Sequence, residues 1–149
     1  MKADASDTVG GQTGAMQTVL RFEDIFGAGP GRIPAHAQIL SAQLELEVND
    51  GGPSLDFHRI LQAWQDSATW DSFQNGIQTD GVEAERQPDV QSGRVTGPVL
   101  RLDVTTSVQA WLDDPSTNYG WVLLSNSDDG VGFRSADGNG PPRLTVTYQ

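Results

Sequence analysis

The chain has 149 residues, a length that suits one domain and is too short for a doubly wound nucleotide-binding enzyme with a second domain. It carries 20 acidic and 9 basic residues, and the resulting net charge of −11 disfavours phosphate backbones and anionic membrane surfaces as partners. The absence of cysteine excludes disulfides, cysteine-rich zinc sites and thiol nucleophiles, while 17 glycines and 8 prolines argue against a long helical bundle.

Residues 1–16 are polar, and they are expected to be either poorly ordered or a short first strand of a single β-sandwich domain spanning residues 1–149. They contain no apolar stretch like that of a signal peptide, and the sequence has no apolar window long enough for a membrane helix. The chain is therefore expected to be either cytosolic or one domain of a longer exported protein. Neither nucleic acid nor membrane is expected as a partner.

Alternating apolar and polar residues predict most of the strands. In the stretch 17–23, Thr18, Leu20 and Phe22 share one face. A longer run has an apolar face of five positions, which are Leu40, Ala42, Leu44, Leu46 and Val48. Polar residues occupy the other face, as in a strand of an antiparallel sandwich that is packed on one side only. A third strand is predicted over residues 54–61.

Residues 62–97 show little periodicity, and a loop of this length is usually functional or contains short elements of its own. Alternation resumes over residues 99–104. A capping box, with Thr106 as N-cap and Gln109 three residues later, predicts a short helix over residues 106–112. The predicted helix turns three residues inward, namely Val108, Trp111 and Leu112.

Three further strands are predicted over residues 120–125, 130–135 and 143–148, each bounded by a cluster of turn residues. In the last of them, Leu144, Val146 and Tyr148 are expected to face the core. Many short strands, frequent turns and one short helix predict an all-β fold, an antiparallel β-sandwich of jelly-roll type.

The sequence lacks the common catalytic motifs. His36 lies in a predicted loop, and His58 lies in a predicted strand, where it is expected to be half-buried with one hydrogen bond. No His-Glu-x-x-His motif and no Gly-x-Ser-x-Gly nucleophile elbow occurs. A glycosidase needs only two carboxylates, a signal that carries little information among 20 acidic residues. The chain is therefore expected not to be an enzyme.

An acidic turn is the candidate metal site, with the ligands Asn126, Asp128 and Asp129. Oxygen ligands on a tight turn suit calcium, although this turn lacks the spacing of an EF-hand loop. The alternative is that Asn, Asp and Gly form the turn by bonding to their own backbone. Both interpretations of this turn are therefore kept, so a bound structural calcium ion is possible, and no other cofactor is expected.

Several segments together resemble DNRLRE-type domains. The runs Val19–Asp24 and Ile33–Leu46 are similar to the Leu-x-Arg-Phe-Asp and Ile-Pro-x-Gly-Ala-x-Ile-x-Ser-Ala-x-Leu-x-Leu segments that open such domains. The likeness continues in the same order through His58-Arg59, Trp64, Ala68–Trp70, Asp103–Trp111, Asn118–Leu124, Phe133–Ser135 and Pro142–Tyr148. It covers nearly the whole chain from Val19, and it depends on the order and spacing of these pieces.

The resemblance implies a jelly-roll accessory module that is not catalytic. Such modules occur in larger secreted or surface proteins of bacteria and archaea, and their relatives include alginate-binding carbohydrate-binding modules and disaggregatase-related repeats. The implied location is extracellular or at the cell surface, within a covalent parent chain. Two features depart from the family: an extra strand usually precedes the segment at Val19, and the glycine expected after Pro34-Ala35 is His36.

The net charge bears on the ligand. An acidic protein binds an anionic polyuronate poorly unless calcium bridges the carboxylates or arginines cluster on one face. Arg21, Arg59 and Arg101 could form such a stripe. Alternatively, the strand arginines are solvated residues of the outer face or pair with three acidic residues, Glu23, Glu45 and Glu47. A neutral glycan is at least as consistent with the sequence as an acidic one.

The aromatic residues divide into two groups. Three tryptophans are expected in the core, namely Trp64, Trp111 and Trp121. Trp70 and Phe73 lie in the long polar segment and are expected to be exposed, with anchoring of that loop as the alternative role for Trp70.

The leading hypothesis is a carbohydrate-binding accessory module that binds a polysaccharide through Trp70, Phe73, Tyr119 and Arg134. One alternative is a structural or adhesive spacer domain without sugar binding. The other is a glycan hydrolase or lyase, which needs a cleft with two facing carboxylates.

Overall fold

The computed structural model describes residues 2–9, 12–125, 127–134 and 139–149, with side chains described from residue 17 onward. The strands in this part of the chain are β1 (Lys2–Val9), β2 (Gln12–Met16), β3 (Thr18–Leu20), β4 (Ile39–Asp50), β5 (Leu55–Arg59), β6 (Val90–Gln91), β7 (Val99–Asp103), β8 (Trp121–Ser125), β9 (Val131–Phe133) and β10 (Arg143–Tyr148). Helix α1 (Thr105–Asp113) follows β7, and two 3₁₀ turns lie at Trp70–Phe73 and Pro115–Thr117.

The strands form two sheets. Among the described residues, the larger sheet has six strands, with the order β10-β4-β9-β1-β2 and with β7 paired to β4. The smaller sheet has four strands, in the order β3-β8-β5-β6. All pairings between these strands are antiparallel. The predicted all-β sandwich with one short helix is confirmed, and the jelly-roll type stays a prediction.

Strand β4 organises the larger sheet, because it pairs with β7, β9 and β10. Its central residues alternate as predicted, with Ala42, Leu44 and Leu46 buried and the residues between them exposed or half-buried. The main core lies between the sheets and α1, and its members include Leu20, Ala42, Leu44, Leu46, Leu55, Phe57, Leu102, Val108, Trp111, Trp121, Leu123 and Phe133.

The predicted apolar face of β4 is wrong at its first position. Leu40 is 51% exposed, and Ile39 is buried instead. The pairing with β10 shifts at this point, because Thr147 pairs with Ser41 while Tyr148 pairs with Ile39. Such a bulge inserts one extra residue into β4 and turns Leu40 toward solvent. Tyr148, which was expected to face the core, is 41% exposed.

Helix α1 begins one residue earlier than predicted, and the capping box predicted at Thr106 is wrong. Val104 occupies the N-cap position and provides no side-chain cap. The first turn is held by Asp103, whose Oδ1 accepts hydrogen bonds from the Thr105 backbone N–H at 2.9 Å and from the Thr105 hydroxyl at 2.6 Å. Thr105 Oγ1 accepts from the Ala42 N–H at 2.9 Å, which ties the helix to β4.

The inward face of α1 is as predicted. Val108, Trp111 and Leu112 are all buried, together with Ser107. The apolar spacing therefore identified the buried face correctly, although the residue that starts the helix was misassigned.

Trp121 joins the smaller sheet to α1 and to the long segment that follows β5. Its ring meets Trp111 edge-on, with centroids 4.6 Å apart and an interplanar angle of 60°. Its Nε1–H donates to Ser107 Oγ at 2.9 Å, and the Ser107 hydroxyl donates to Asp89 Oδ2 at 2.5 Å. Arg59 Nε donates to the same carboxylate oxygen at 2.6 Å. Because Ser107 is fully buried, this chain of hydrogen bonds has no ready replacement by solvent.

Replacing Ser107 with alanine tests this junction. The Trp121 indole N–H would lose its acceptor and the Asp89 carboxylate one of its donors, so Ser107→Ala is expected to lower the free energy of unfolding by about 1–3 kcal/mol. Urea denaturation monitored by tryptophan fluorescence measures the change. Thr106→Ala is the matched control, because Thr106 is exposed on the same turn of the helix and a surface change there is expected to stay within about 0.5 kcal/mol. Equal losses in the two variants would contradict the assigned role of Ser107.

The start of α1 gives a stability effect that depends on pH. Hydrogen bonds from the Thr105 hydroxyl and backbone N–H lower the pKa of the Asp103 carboxyl. A lowered folded-state pKa means that the stabilisation is complete above the unfolded pKa of about 3.9 and is lost as the pH falls through the folded value. Asp103→Ala is therefore expected to cost about 1 kcal/mol at pH 7, with a smaller cost at pH 2. Denaturation curves at both pH values measure the two costs, and a cost that does not change with pH would rule out this cap.

Candidate functional site

Residues 62–97, called here the covering segment, first run over the outer face of the smaller sheet and then along its edge, where β6 pairs with β5 and Val95 enters the main core. A second buried cluster forms on the outer face, made of Ile60, Ile77, Ala84 and Val122, with Val19, Trp64, Phe73, Tyr119 and Leu124 packed against it. Neighbouring strand residues point to opposite faces, so Val122 faces this cluster while Trp121 and Leu123 face the main core. The sequence therefore builds a third layer from a stretch that has no regular periodicity.

His58 belongs to this buried outer face. It pairs with Val122 across β5 and β8, and it is buried more deeply than predicted. Its Nδ1 lies 2.7 Å from the carbonyl oxygen of Glu85, and because a carbonyl can only accept, Nδ1 carries the proton. The expected single hydrogen bond is confirmed, and its partner holds the covering segment against β5.

Gln17 fastens the covering segment near its middle, at Ile77. Its side-chain N–H donates to the Ile77 carbonyl at 2.8 Å, and its Oε1 accepts from the Ile77 N–H at 2.7 Å. The preceding residue, Gly76, donates its N–H to the Trp70 carbonyl at 3.1 Å. The Trp70 ring lies directly against Gly76, where an added Cβ would come within 2.6 Å of two ring carbons. The loop that carries Trp70 is therefore closed on itself and fixed to the sheet.

Trp70 and Phe73 lie together on the 3₁₀ turn Trp70–Phe73. Thr69 and Ser72 cap this turn reciprocally, each accepting from the other's backbone N–H. Trp70 is 37% exposed, whereas Phe73 packs half-buried against the second cluster. Exposure of an aromatic side chain was expected at both positions, and only Trp70 offers a large apolar surface to solvent.

Trp64 occupies a half-buried position beside the same turn. The Arg21 guanidinium lies 4.6 Å from the centroid of the Trp64 ring, in a cation–π contact. The Trp64 Nε1–H donates to the Tyr119 carbonyl at 2.7 Å. Trp64 belongs to the second cluster rather than to the main core, whereas Trp111 and Trp121 are core residues as predicted.

Two adjacent pockets lie on either side of this aromatic group and share Trp64, Ala68 and Phe73. The Trp70 pocket holds about 130 Å³, and its other lining residues include Gln17, Asp66, Thr69 and Trp70. The glutamine pocket holds about 310 Å³ and is lined also by Gln62, Gln65, Ser72, Gln74 and Glu83. An exposed ring is thus flanked by amides, hydroxyls and carboxylates, the groups that fix the orientation of a polar ligand.

Tyr119 borders a third pocket, called here the Asn118 pocket. It holds about 420 Å³, and its lining includes Arg21, Glu23, Phe26, Asn118 and Tyr119. Asn118 Nδ2 donates to the Phe22 carbonyl at 2.9 Å, while its Oδ1 is buried without a hydrogen-bond partner. Arg21 lines this pocket and also stacks on Trp64, so it separates the Asn118 pocket from the other two.

Arg134 lies apart from the other three predicted ligand residues. It follows β9 of the larger sheet, its Nε is 3.1 Å from Glu47 Oε2, and its Nη1 donates to the Asn139 carbonyl at 3.2 Å. The structure therefore places Trp70 and Phe73 on one surface, with Tyr119 packed against the same cluster, and sets Arg134 on the other sheet.

The candidate metal residues Asp128 and Asp129 are exposed in the turn between β8 and β9, and Asn126 lies outside the described residues. The Asp129 N–H donates to Ser127 Oγ at 3.3 Å, a local bond of the kind that makes such turns. Within the described ranges, no three His, Cys, Asp or Glu side chains come together as a metal site.

The strand arginines pair with acidic residues instead of forming one stripe. Arg101 Nε lies 2.5 Å from Glu45 Oε2 on the larger sheet, and Arg21 pairs with Glu23 beside β3. Arg59 is bound to Asp89 and Glu85. Of the alternatives drawn from the sequence, pairing with an acidic residue is the one that holds for Arg21 and Arg101.

The long-range contacts of Gln17 and Arg21 on this surface escaped the sequence analysis. Gln17 and Arg21 precede the residues they contact by 60 and 43 positions, so local patterns do not reveal those contacts. The signal that could have been used is composition, because the stretch 62–78 contains five amides, which are Gln62, Gln65, Gln74, Asn75 and Gln78.

Comparison of the chain with models of known protein families finds no match, and comparison with curated proteins finds none either. No helix in the described ranges combines the length and apolar character needed to cross a lipid bilayer.

Two glycines test how the Trp70 loop is held. Gly76 (φ +84°) and Gly93 (φ +64°) are both strained positions for alanine, but a Cβ at Gly76 would meet the Trp70 ring whereas one at Gly93 meets nothing within 4 Å. Gly93→Ala is expected to cost about 1 kcal/mol of unfolding free energy through its backbone alone, and Gly76→Ala about 1–3 kcal/mol more. Urea denaturation measures both, and equal costs would contradict the packing of Trp70 on Gly76.

Proposed function

We propose that the chain is a non-catalytic carbohydrate-binding module that binds a polysaccharide at the surface around Trp70. The observation that carries the proposal is the half-exposed Trp70 ring, which rests on Gly76 and is flanked by the Trp70 pocket and the glutamine pocket. The resemblance to DNRLRE-type domains supports the same interpretation and implies a larger secreted or surface protein as the parent chain.

The chemistry of the surface suits a sugar. The C–H faces of pyranose rings stack on flat aromatic rings, and a large ring with few rotatable bonds loses little entropy when it is covered. The hydroxyls around the sugar need both donors and acceptors, which the amides of Gln62, Gln65 and Gln74 supply at the adjacent pocket. Shallow sites of this kind bind each ligand weakly and gain strength when modules are linked in one chain.

The rigidity of the surface also supports the proposal. The Trp70 loop is joined to the rest of the fold through the paired Gln17–Ile77 hydrogen bonds and the capped 3₁₀ turn. A ring that is already held in place does not have to be ordered by the ligand, and this preserves affinity in a small contact area. The spacer alternative has no need for such a fixed exposed ring.

Trp70→Ala tests the proposed site directly. Removing the stacking ring is expected to weaken polysaccharide binding about tenfold or more, because a central aromatic residue commonly contributes most of the energy of a small contact. Affinity electrophoresis in gels that contain xylan, laminarin, mannan or hydroxyethyl cellulose measures the retardation. Tyr148→Ala is the matched control, because Tyr148 is comparably exposed but lies on the opposite sheet.

The proposal makes two further demands on this experiment. Retardation must be lost in Trp70→Ala and retained in Tyr148→Ala, while both variants keep the far-UV circular dichroism of the wild type. If no gel retards the wild type, the spacer reading replaces the proposal. Release of reducing sugar by the purified chain would replace both with the glycan-cleaving alternative.

A further inference from the structure

On the basis of the proposed function, we infer that the Trp70 surface selects an uncharged polysaccharide and that Asp66 is the residue that rejects an acidic one. The inference depends on which charged side chains stand around the exposed ring and on what each is bound to. It names a ligand class for the surface and a specificity-determining residue, neither of which follows from the presence of an aromatic ring.

The two pockets beside the exposed ring carry negative charge, because Asp66 lines one and Glu83 lines the other, with no arginine or lysine among the described residues of either lining. Residues 62–86 as a whole contain five acidic residues and one basic residue, and one of these acids, Glu85, is paired with Arg59 of β5. A polyuronate carries about one negative charge on each sugar, so its approach to this surface is opposed by repulsion that acts over about 8 Å at physiological ionic strength. An uncharged chain meets no such barrier and can still donate its hydroxyls to carboxylates.

The Arg21 guanidinium lines the Asn118 pocket beside the aromatic group, and it is already bound to other groups of the protein. It stacks on the Trp64 ring, donates through Nη1 to the Trp64 carbonyl at 3.4 Å and pairs with Glu23. Its Nη2 also lies 3.7 Å from Asp66 Oδ1, and its side chain is only 16% exposed. With two carboxylates against one guanidinium, Arg21 presents no net positive charge to a ligand at the Trp70 pocket.

Asp66 differs from the other carboxylate of the paired pockets. It lines the Trp70 pocket together with the exposed ring, and its side chain is 91% exposed. Glu83 lines the glutamine pocket, but its Oε2 accepts the Gln78 backbone N–H at 2.8 Å and so belongs to the turn. Asp66 is therefore the exposed carboxylate that shares a pocket with the Trp70 ring, and its removal would also leave Arg21 with one fewer acidic partner.

Asp66→Asn tests the inference, because it removes the charge but keeps the size and the acceptor oxygen. Asp50→Asn is the matched control: it makes the same change in net charge at an exposed position of β4. Binding of wild type and both variants is measured by affinity electrophoresis against hydroxyethyl cellulose, xylan, laminarin and mannan as uncharged probes and against polygalacturonate as the acidic probe, at 20 mM and 500 mM NaCl.

We expect the wild type to be retarded by at least one uncharged probe and to be retarded less by polygalacturonate. In 20 mM NaCl, Asp66→Asn should raise the affinity for polygalacturonate about threefold or more over Asp50→Asn, and this gain should shrink in 500 mM NaCl as the charges are screened. Affinity for the uncharged probe should stay within about twofold of wild type, since the stacking ring is untouched.

The outcomes distinguish failure of the inference about Asp66 from failure of the carbohydrate-binding proposal. Stronger retardation of the wild type by polygalacturonate than by every uncharged probe, or equal gains in Asp66→Asn and Asp50→Asn, overturns the inference and leaves the carbohydrate-binding proposal standing. If none of the five polysaccharides retards the wild type, the proposed function fails and the inference fails with it.

Discussion

The hydrogen bond from the Trp121 indole to Ser107 is the interaction on which the rest of this structure depends. Trp121 lies on the inner face of the smaller sheet, and Ser107 is buried on α1. The Ser107 hydroxyl in turn donates a hydrogen bond to Asp89 of the covering segment. Arg59 of β5 closes the network on the same carboxylate. One buried hydroxyl therefore joins a strand, the helix and the long connection, and an apolar replacement would leave polar groups unpaired at the centre of the fold.

The covering segment gains its order from this junction and from contacts on the opposite face of the same sheet. Its Glu85 carbonyl is hydrogen-bonded to His58 of β5, and its Ile77 N–H is hydrogen-bonded to the Gln17 side-chain amide. Between these fixed points the chain forms the small cluster around Val122, so a stretch without periodicity becomes a packed layer. Trp70 is 37% exposed on this layer, and Gly76, which has no Cβ, leaves room for the ring beside the backbone.

The fold was largely predictable, because each sheet has one face against a shared core. Alternation in β4 identified Ala42, Leu44 and Leu46, and the spacing in α1 identified its buried face. The predicted burial of Leu40 was wrong because the bulge depends on the pairing of β4 with β10. That strand lies about a hundred residues away, so the local sequence around Leu40 does not reveal the bulge. The predicted start of the helix was wrong because Asp103, which precedes the helix, accepts the Thr105 backbone N–H of the first turn. Thr106 is therefore not needed as a cap.

The candidate surface was predictable only at its aromatic centre, where Trp70 and Phe73 stand out in a polar stretch. Its supports, Gln17 and Arg21, act across long sequence separations, and Arg134 belongs to the other sheet. The most direct measurement is an NMR titration that follows the four tryptophan indole N–H signals while a soluble uncharged oligosaccharide is added. The account predicts that the Trp70 signal shifts with saturation while the buried Trp111 and Trp121 signals stay in place. An unchanged Trp70 signal at ligand concentrations that saturate binding would contradict it.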